Sequence, residues 1–234
     1  MKGILHAGLR LDPEQGVHFH ANEVLAWGVL AEDAEIEGLP CKAGEEVEFH
    51  PEGRLASALL AAPRTVRGLP ARGGTPVAFY PDGGLRFLAL AQPRRIAGFP
   101  AGAGNTFFHP DGRVWSAVSS AEVDFGSAAL PAGTRVTLGP DGRLLEWWRA
   151  LAVDTEIQGI PCSARFPVWF YADGRLSCLH LARPCRVDGR RLATETELVL
   201  EPDGSLRETY THRYPRFGEV AWRVFGAIEE PLFG

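Results

Sequence analysis

The triplet Val47-Glu48-Phe49 sets two apolar side chains around a polar one. The same spacing returns at Val77-Ala78-Phe79, Val136-Thr137-Leu138, Val168-Trp169-Phe170 and Leu198-Val199-Leu200. Alternation with period two is the pattern of a strand buried on one face. Each triplet therefore predicts a short strand whose outer members enter a core and whose middle residue faces the other way. Every triplet then runs into a turn: "FHPEGRL" at Phe49, "FYPDGGL" at Phe79, "LGPDGRL" at Leu138, "FYADGRL" at Phe170 and "LEPDGSL" at Leu200. The same turn stands in "FHPDGRV" at Phe108, and a diverged copy, "FHANEVL", at Phe19.

In these turns Pro presets the first position, Asp suits the next, and Gly takes the left-handed conformation that closes a three-residue hairpin loop with a bulge. A longer apolar strand follows, as in "RLASALLA" and "GLRFLALA". A second motif precedes the hairpins: "IEGLP" at Ile36, "VRGLP" at Val66, "IAGFP" at Ile96, "IQGIP" at Ile157 and "VDGRR" at Val187, with "FGSAALP" at Phe125 one residue longer and a diverged start at His6. Because proline cannot donate to a ladder, this motif reads as a brief extended segment ending at Pro, or as a bent link.

The period is about 30 residues, in the range of repeat architectures. Seven repeats fit, at 6–35, 36–65, 66–95, 96–125, 126–156, 157–186 and 187–216, forming one domain over 1–216. A tail at 217–234 leaves the pattern; there Val220, Trp222 and Val224 alternate, which predicts a closing strand over the last open edge, followed by a short turn of helix. The fold class is all-β. Seven hairpin repeats would form a curved antiparallel meander or rolled sheet, with a seven-bladed propeller-like ring or a β-solenoid as alternatives. Three strands per repeat would reverse every second repeat in a simple meander, unless the Ile-x-Gly-x-Pro segment is only a link. A lone hairpin of this size is marginal in water, so neighbouring repeats must supply its core.

The stretches "FYPDGGL" and "YADGRLSCL" resemble the aromatic-x-x-Gly-x-Leu hairpin repeats of the MORN-type family and the YD repeats of large Rhs-type shell proteins. The resemblance covers the turn and its flanks in six or seven repeats. It implies a β-hairpin scaffold used for interaction or enclosure rather than a catalytic centre.

A net charge of −5 argues against a nucleic-acid partner, which needs a basic patch. With no signal-peptide pattern at the start of the sequence and no apolar run long enough to span a bilayer, the chain is expected to be cytoplasmic and not membrane-bound. Cys41 and Cys162 occupy one repeat slot in which other repeats carry Ala71, Ala101 and Ala132, so they read as small buried fillers. Cys178 and Cys185 flank a loop; free thiols are the expectation in a reducing compartment, with a disulfide the alternative.

Signatures of catalysis are missing: there is no G-x-S-x-G, phosphate-binding glycine loop or H-E-x-x-H, and the turn aspartates are explained by turn geometry. The chain is thus read as a non-enzyme, with no catalytic residue, cofactor or metal expected. Candidate binding residues come instead from the slot before each turn, which holds His20, His50, Tyr80, His109 and Tyr171, and from Trp169 on the face opposite Val168 and Phe170. Such a row can stack on or hydrogen-bond a ligand, or simply shield the hairpin ends. Arg54, Arg113, Arg143 and Arg175 share the slot after the turn and are expected to pair with acids or stay solvated. The expected partner is a protein or peptide, with carbohydrate as the alternative.

Overall fold

The computed structural model describes residues 4–6, 8–126 and 129–210. The described residues contain strands and turns and no helix, so no helix there is long and apolar enough to cross a membrane. The predicted closing strand and turn of helix at 217–234 lie outside the described residues. The chain divides into two compact units, residues 1–149 with 170–174 and residues 150–169 with 175–234.

The described strands number 28, in seven sets of four rather than three. The segment read as a brief strand or bent link is itself a tight hairpin. Ala34–Ile36 pairs with Leu39–Cys41, Arg64–Val66 with Leu69–Ala71, and Arg94–Ile96 with Phe99–Ala101. Glu37 and Gly38 form the two-residue turn with φ of 51° and 78°, and Arg67, Ala97, Gln158 and Asp188 repeat the left-handed first position. Both central residues at positive φ define the type I′ turn, whose twist matches paired strands. Pro40 sits inside this hairpin, and its carbonyl, which proline keeps, accepts a bond from Ala61 N at 2.7 Å. Four strands is an even number, so each repeat hands the chain on in the direction in which it received it.

In the first unit the long strands form one antiparallel ladder in hairpin order. Leu25–Val29 is followed by Glu46–Phe49, Leu55–Leu59, Pro76–Phe79, Leu85–Leu90, Gly104–Phe108 and onward to Leu144–Arg149. Neighbours in the ladder are neighbours in the chain, with no closure into a barrel; propeller blades would instead break such a ladder into separate small sheets. In the second unit Leu176–His180, Glu197–Leu200 and Leu206–Tyr210 pair in the same order. The turns are as read: Gly53 has φ of 79°, His50 N and Arg54 O close the loop at 2.8 Å, and the register shifts by a bulge between Glu48 and Phe49. The turn aspartates act locally, Asp82 and Asp111 each accepting from the backbone N–H two residues on.

The small hairpins cover one face of the first unit's sheet. Ile36, Leu39 and Cys41 are buried in one cluster with Val47, Leu55, Ala58 and Leu60. Leu11 packs so closely on Gly28 that a Cβ there would meet its side chain at 3.3 Å. Backbone pairing joins the layers at Cys41 and Leu60 and, in the second unit, at Cys162 and Leu181. The turn of the small hairpin adds a side-chain tie, since Glu37 accepts from Leu55 N at 2.9 Å, and Gln158 from Leu176 N at 3.2 Å. Cys41 and Cys162 are buried and free, and desolvation pushes both thiols up to about 11. No disulfide joins Cys178 to Cys185.

Candidate functional site

The slot before the turn is placed by the bulge, which aims its ring along the sheet toward the next repeat. His20 Nε2 lies 2.8 Å from the carbonyl of Phe49, and His50 Nε2 lies 3.0 Å from that of Phe79. Tyr80 donates its hydroxyl to Phe108 O at 2.8 Å, and His109 Nε2 reaches Leu138 O at 2.9 Å. A carbonyl can only accept, so each of these imidazoles carries its proton on Nε2. The four rings thus form one row in which each donates a bond to the backbone of its successor.

The tips behave alike. Asn22 Nδ2 donates to Pro51 O, Arg54 to Asp82 O and Arg113 to Pro140 O, each at 2.8 Å. Arg113 and Arg143 also pair with Asp111 and Asp141, at 3.6 and 3.3 Å. Trp169 and Tyr171 are half-buried on the strand Val168–Tyr171, but Trp169 belongs to the second unit and Tyr171 to the first. The structure therefore brings His20, His50, Tyr80 and His109 together as a row.

The other face of the first unit's sheet, away from the small hairpins, carries a different set. Trp27, Glu48, Ser57, Ala78, Phe87 and Phe107 are successive cross-strand partners and form a single rung. At a strand spacing of about 4.8 Å, Trp27 and Phe87 stand about 19 Å apart. Phe87 and Phe107 meet at a centroid distance of 4.8 Å, and Trp115 lies edge-on to Phe107 at 5.7 Å. Trp27 is held upright by a parallel stack with His18, at 4.4 Å and 16°.

Between Trp27 and Phe87 the side chains shrink, and a cleft of about 370 Å³ opens. Ala26, Ala56 and Ala78 form its floor, Trp27 and Glu48 one wall, and Arg86 the other. His20 and His50 close its hairpin end. Ser57 Oγ donates to Glu48 at 2.7 Å and so fixes the carboxylate. Glu46, two residues along the same strand face, has its carboxyl pushed above the usual range by partial desolvation and then by the charge of Glu48. Further along the sheet, Arg135 lies over Trp148 at 5.7 Å, its guanidinium pKa lowered by desolvation. Among the described residues, no group of three His, Cys, Asp or Glu side chains converges to hold a metal ion.

Sequence reasoning located the middle residues Glu48 and Ala78 on the outward face but missed the rung as a whole. The signal was available in the turn. A three-residue loop with a bulge fixes which residue beyond it returns opposite the middle residue, and that count leads from Glu48 to Ser57 and from Ala78 to Phe87. No protein-family model matches the chain, and no curated protein matches it.

Proposed function

We propose that the chain is a non-enzymatic β-repeat scaffold that binds a protein or peptide along the outer face of its sheet. The observation that carries this reading is the rung from Trp27 to Phe107, where aromatic and small side chains lie half-exposed on the face of the sheet away from the small hairpins. Aromatic clusters at a surface are favoured interaction sites because they offer large contact area at low entropic cost. The likeness of the hairpins to MORN-type and YD repeats points the same way. Four cysteines without a disulfide among them fit a reducing, cytoplasmic setting.

The test is photocrosslinking in the producing cells, with a photoreactive phenylalanine analogue at Ser57 or Ala78 of the full chain. The scaffold reading expects a discrete protein adduct that disappears when Trp27→Ala is added. Labelling no stronger than from a control site at the exposed tip residue Glu52 would remove it.

One observation favours a second reading, a carbohydrate-binding module. A tryptophan wall beside polar groups, here Trp27 with Glu48, Ser57 and Arg86, suits the apolar face and hydroxyls of a sugar ring. That reading requires a neutral oligosaccharide on a glycan array to bind and to quench tryptophan fluorescence; an array with no hits excludes it.

A further inference from the structure

We infer that the cleft between Trp27 and Ala78 receives a cationic side chain, the guanidinium or ammonium of an arginine or lysine on a peptide partner. The inference rests on the scaffold reading and specifies what the partner presents.

The ring supplies the first element. His18 occupies one face of Trp27, and the cleft lies on the opposite, Glu48 side of the ring, so an aromatic face borders the cavity. A cation is attracted to such a face by the ring quadrupole, and tryptophan provides the strongest version of that attraction.

The carboxylates supply the second. Glu48 is the direct cross-strand neighbour of Trp27, and Glu46 is that of Val29 on the same outer face. Some acids of this chain are met by its own cations, as in Arg10 with Glu32 and Arg183 with Glu156. Among the described residues no lysine or arginine comes within ion-pair distance of Glu46 or Glu48; Lys42, close in sequence, pairs with Glu45 at 3.6 Å. The two carboxylates repel each other without internal relief, which adds to desolvation in displacing Glu46 upward. An arriving cation relieves that repulsion.

Shape supplies the third. An alanine floor accepts an alkyl stem, and about 370 Å³ holds a guanidinium with its methylenes. His20 and His50 have their Nε2 protons committed to carbonyls, which leaves Glu48 as the anionic group of the cleft. Arg86 lines the far wall of the cleft, three strands from Glu48 in the order of the sheet, and makes no ion pair with Glu48, so that carboxylate keeps its charge for an arriving cation. The net charge of −5 favours the approach of a basic partner.

The full chain should be titrated with arginine amide, and in parallel with citrulline amide, its neutral isostere, while amide and indole resonances are followed by NMR. Arginine amide is expected to shift the Trp27 indole N–H and the amides of Glu48 and Ser57 saturably, and citrulline amide is not. Glu48→Gln, which keeps the Ser57 bond and whose fold the same spectrum reports, should weaken the effect roughly five-fold or more. Equal binding of citrulline amide, shifts confined to other carboxylates such as Glu52, or no response at Trp27 overturns the inference. The two readings fail separately. A crosslinked partner at Ser57 with a silent cleft leaves the scaffold standing without the cation site, and arginine amide bound at Trp27 with no crosslinked partner does the reverse.

Discussion

On the inner face of the first unit, the positions flanking the middle of each triplet read Val47 and Phe49, Val77 and Phe79, Val136 and Leu138. On the outer face the middle positions read Glu48, Ala78 and Thr137, and their partners across each hairpin read Ser57, Phe87 and Glu146. One side of the sheet repeats itself and the other is composed residue by residue. Stacking explains the first, because every repeat meets the same surface of its neighbour and must fill the same volume. It leaves the second without a structural requirement for variety. Individual character in a repeat protein therefore concentrates where the neighbours impose nothing, and here that is the rung containing Trp27.

The contrast can be tested on a single strand. Leu88 is fully buried and Phe87, beside it, is half-exposed. Leu88→Ala should lower the unfolding free energy by about 2–5 kcal/mol in denaturant titrations. Phe87→Ala, although it removes more atoms, should cost only about 1 kcal/mol through its lost contact with Phe107. Equal costs would erase the distinction between the faces.

A pH-dependent effect sharpens the account of the inner face. The folded chain holds the Cys41 and Cys162 protons more tightly than the unfolded chain. Their contribution is therefore whole below pH 9, the ordinary thiol value, and lost as pH rises toward about 11. Replacing both by alanine, the residue other repeats use in that slot, should flatten the loss of stability between those two pH values, as followed by the urea midpoint.

The ties between repeats come next. His50→Phe keeps the ring and removes the donor to Phe79 O, so it should cost about 0.5–1.5 kcal/mol in the same titration. No loss would mean that the row of rings merely fills space. The smallest expected change is a gain. Ala97 has φ of 46° without a side-chain tie to offset the strain, and Ala97→Gly should stabilise the chain by up to about 1 kcal/mol. A loss there would show that the alanine methyl group makes packing contacts worth more than the strain.

The long hairpins and their buried residues were legible because two local signals agreed, the period-two triplet and the Pro-Asp-Gly turn. The small hairpins were not, for an equally local reason. A type I′ turn is usually announced by Asn-Gly or Asp-Gly, and Asp188-Gly189 fits; four other repeats place Glu37, Arg67, Ala97 and Gln158 in the left-handed position. The proline that follows looks like a strand end, although the ladder uses its carbonyl and not an N–H. The slot holding His20, His50, Tyr80 and His109 was visible as a pattern, but its bonds reach about 29 residues ahead and depend on the register between repeats. The rung at Trp27 depends on that register too.

The even count of strands also bears on how such a chain changes over generations. A duplication or deletion of one whole repeat returns the backbone to the same heading, with apolar positions still meeting apolar positions and tips still emerging along one border. Copy number is thus free to drift in steps of about 30 residues without a new fold being invented at the junction.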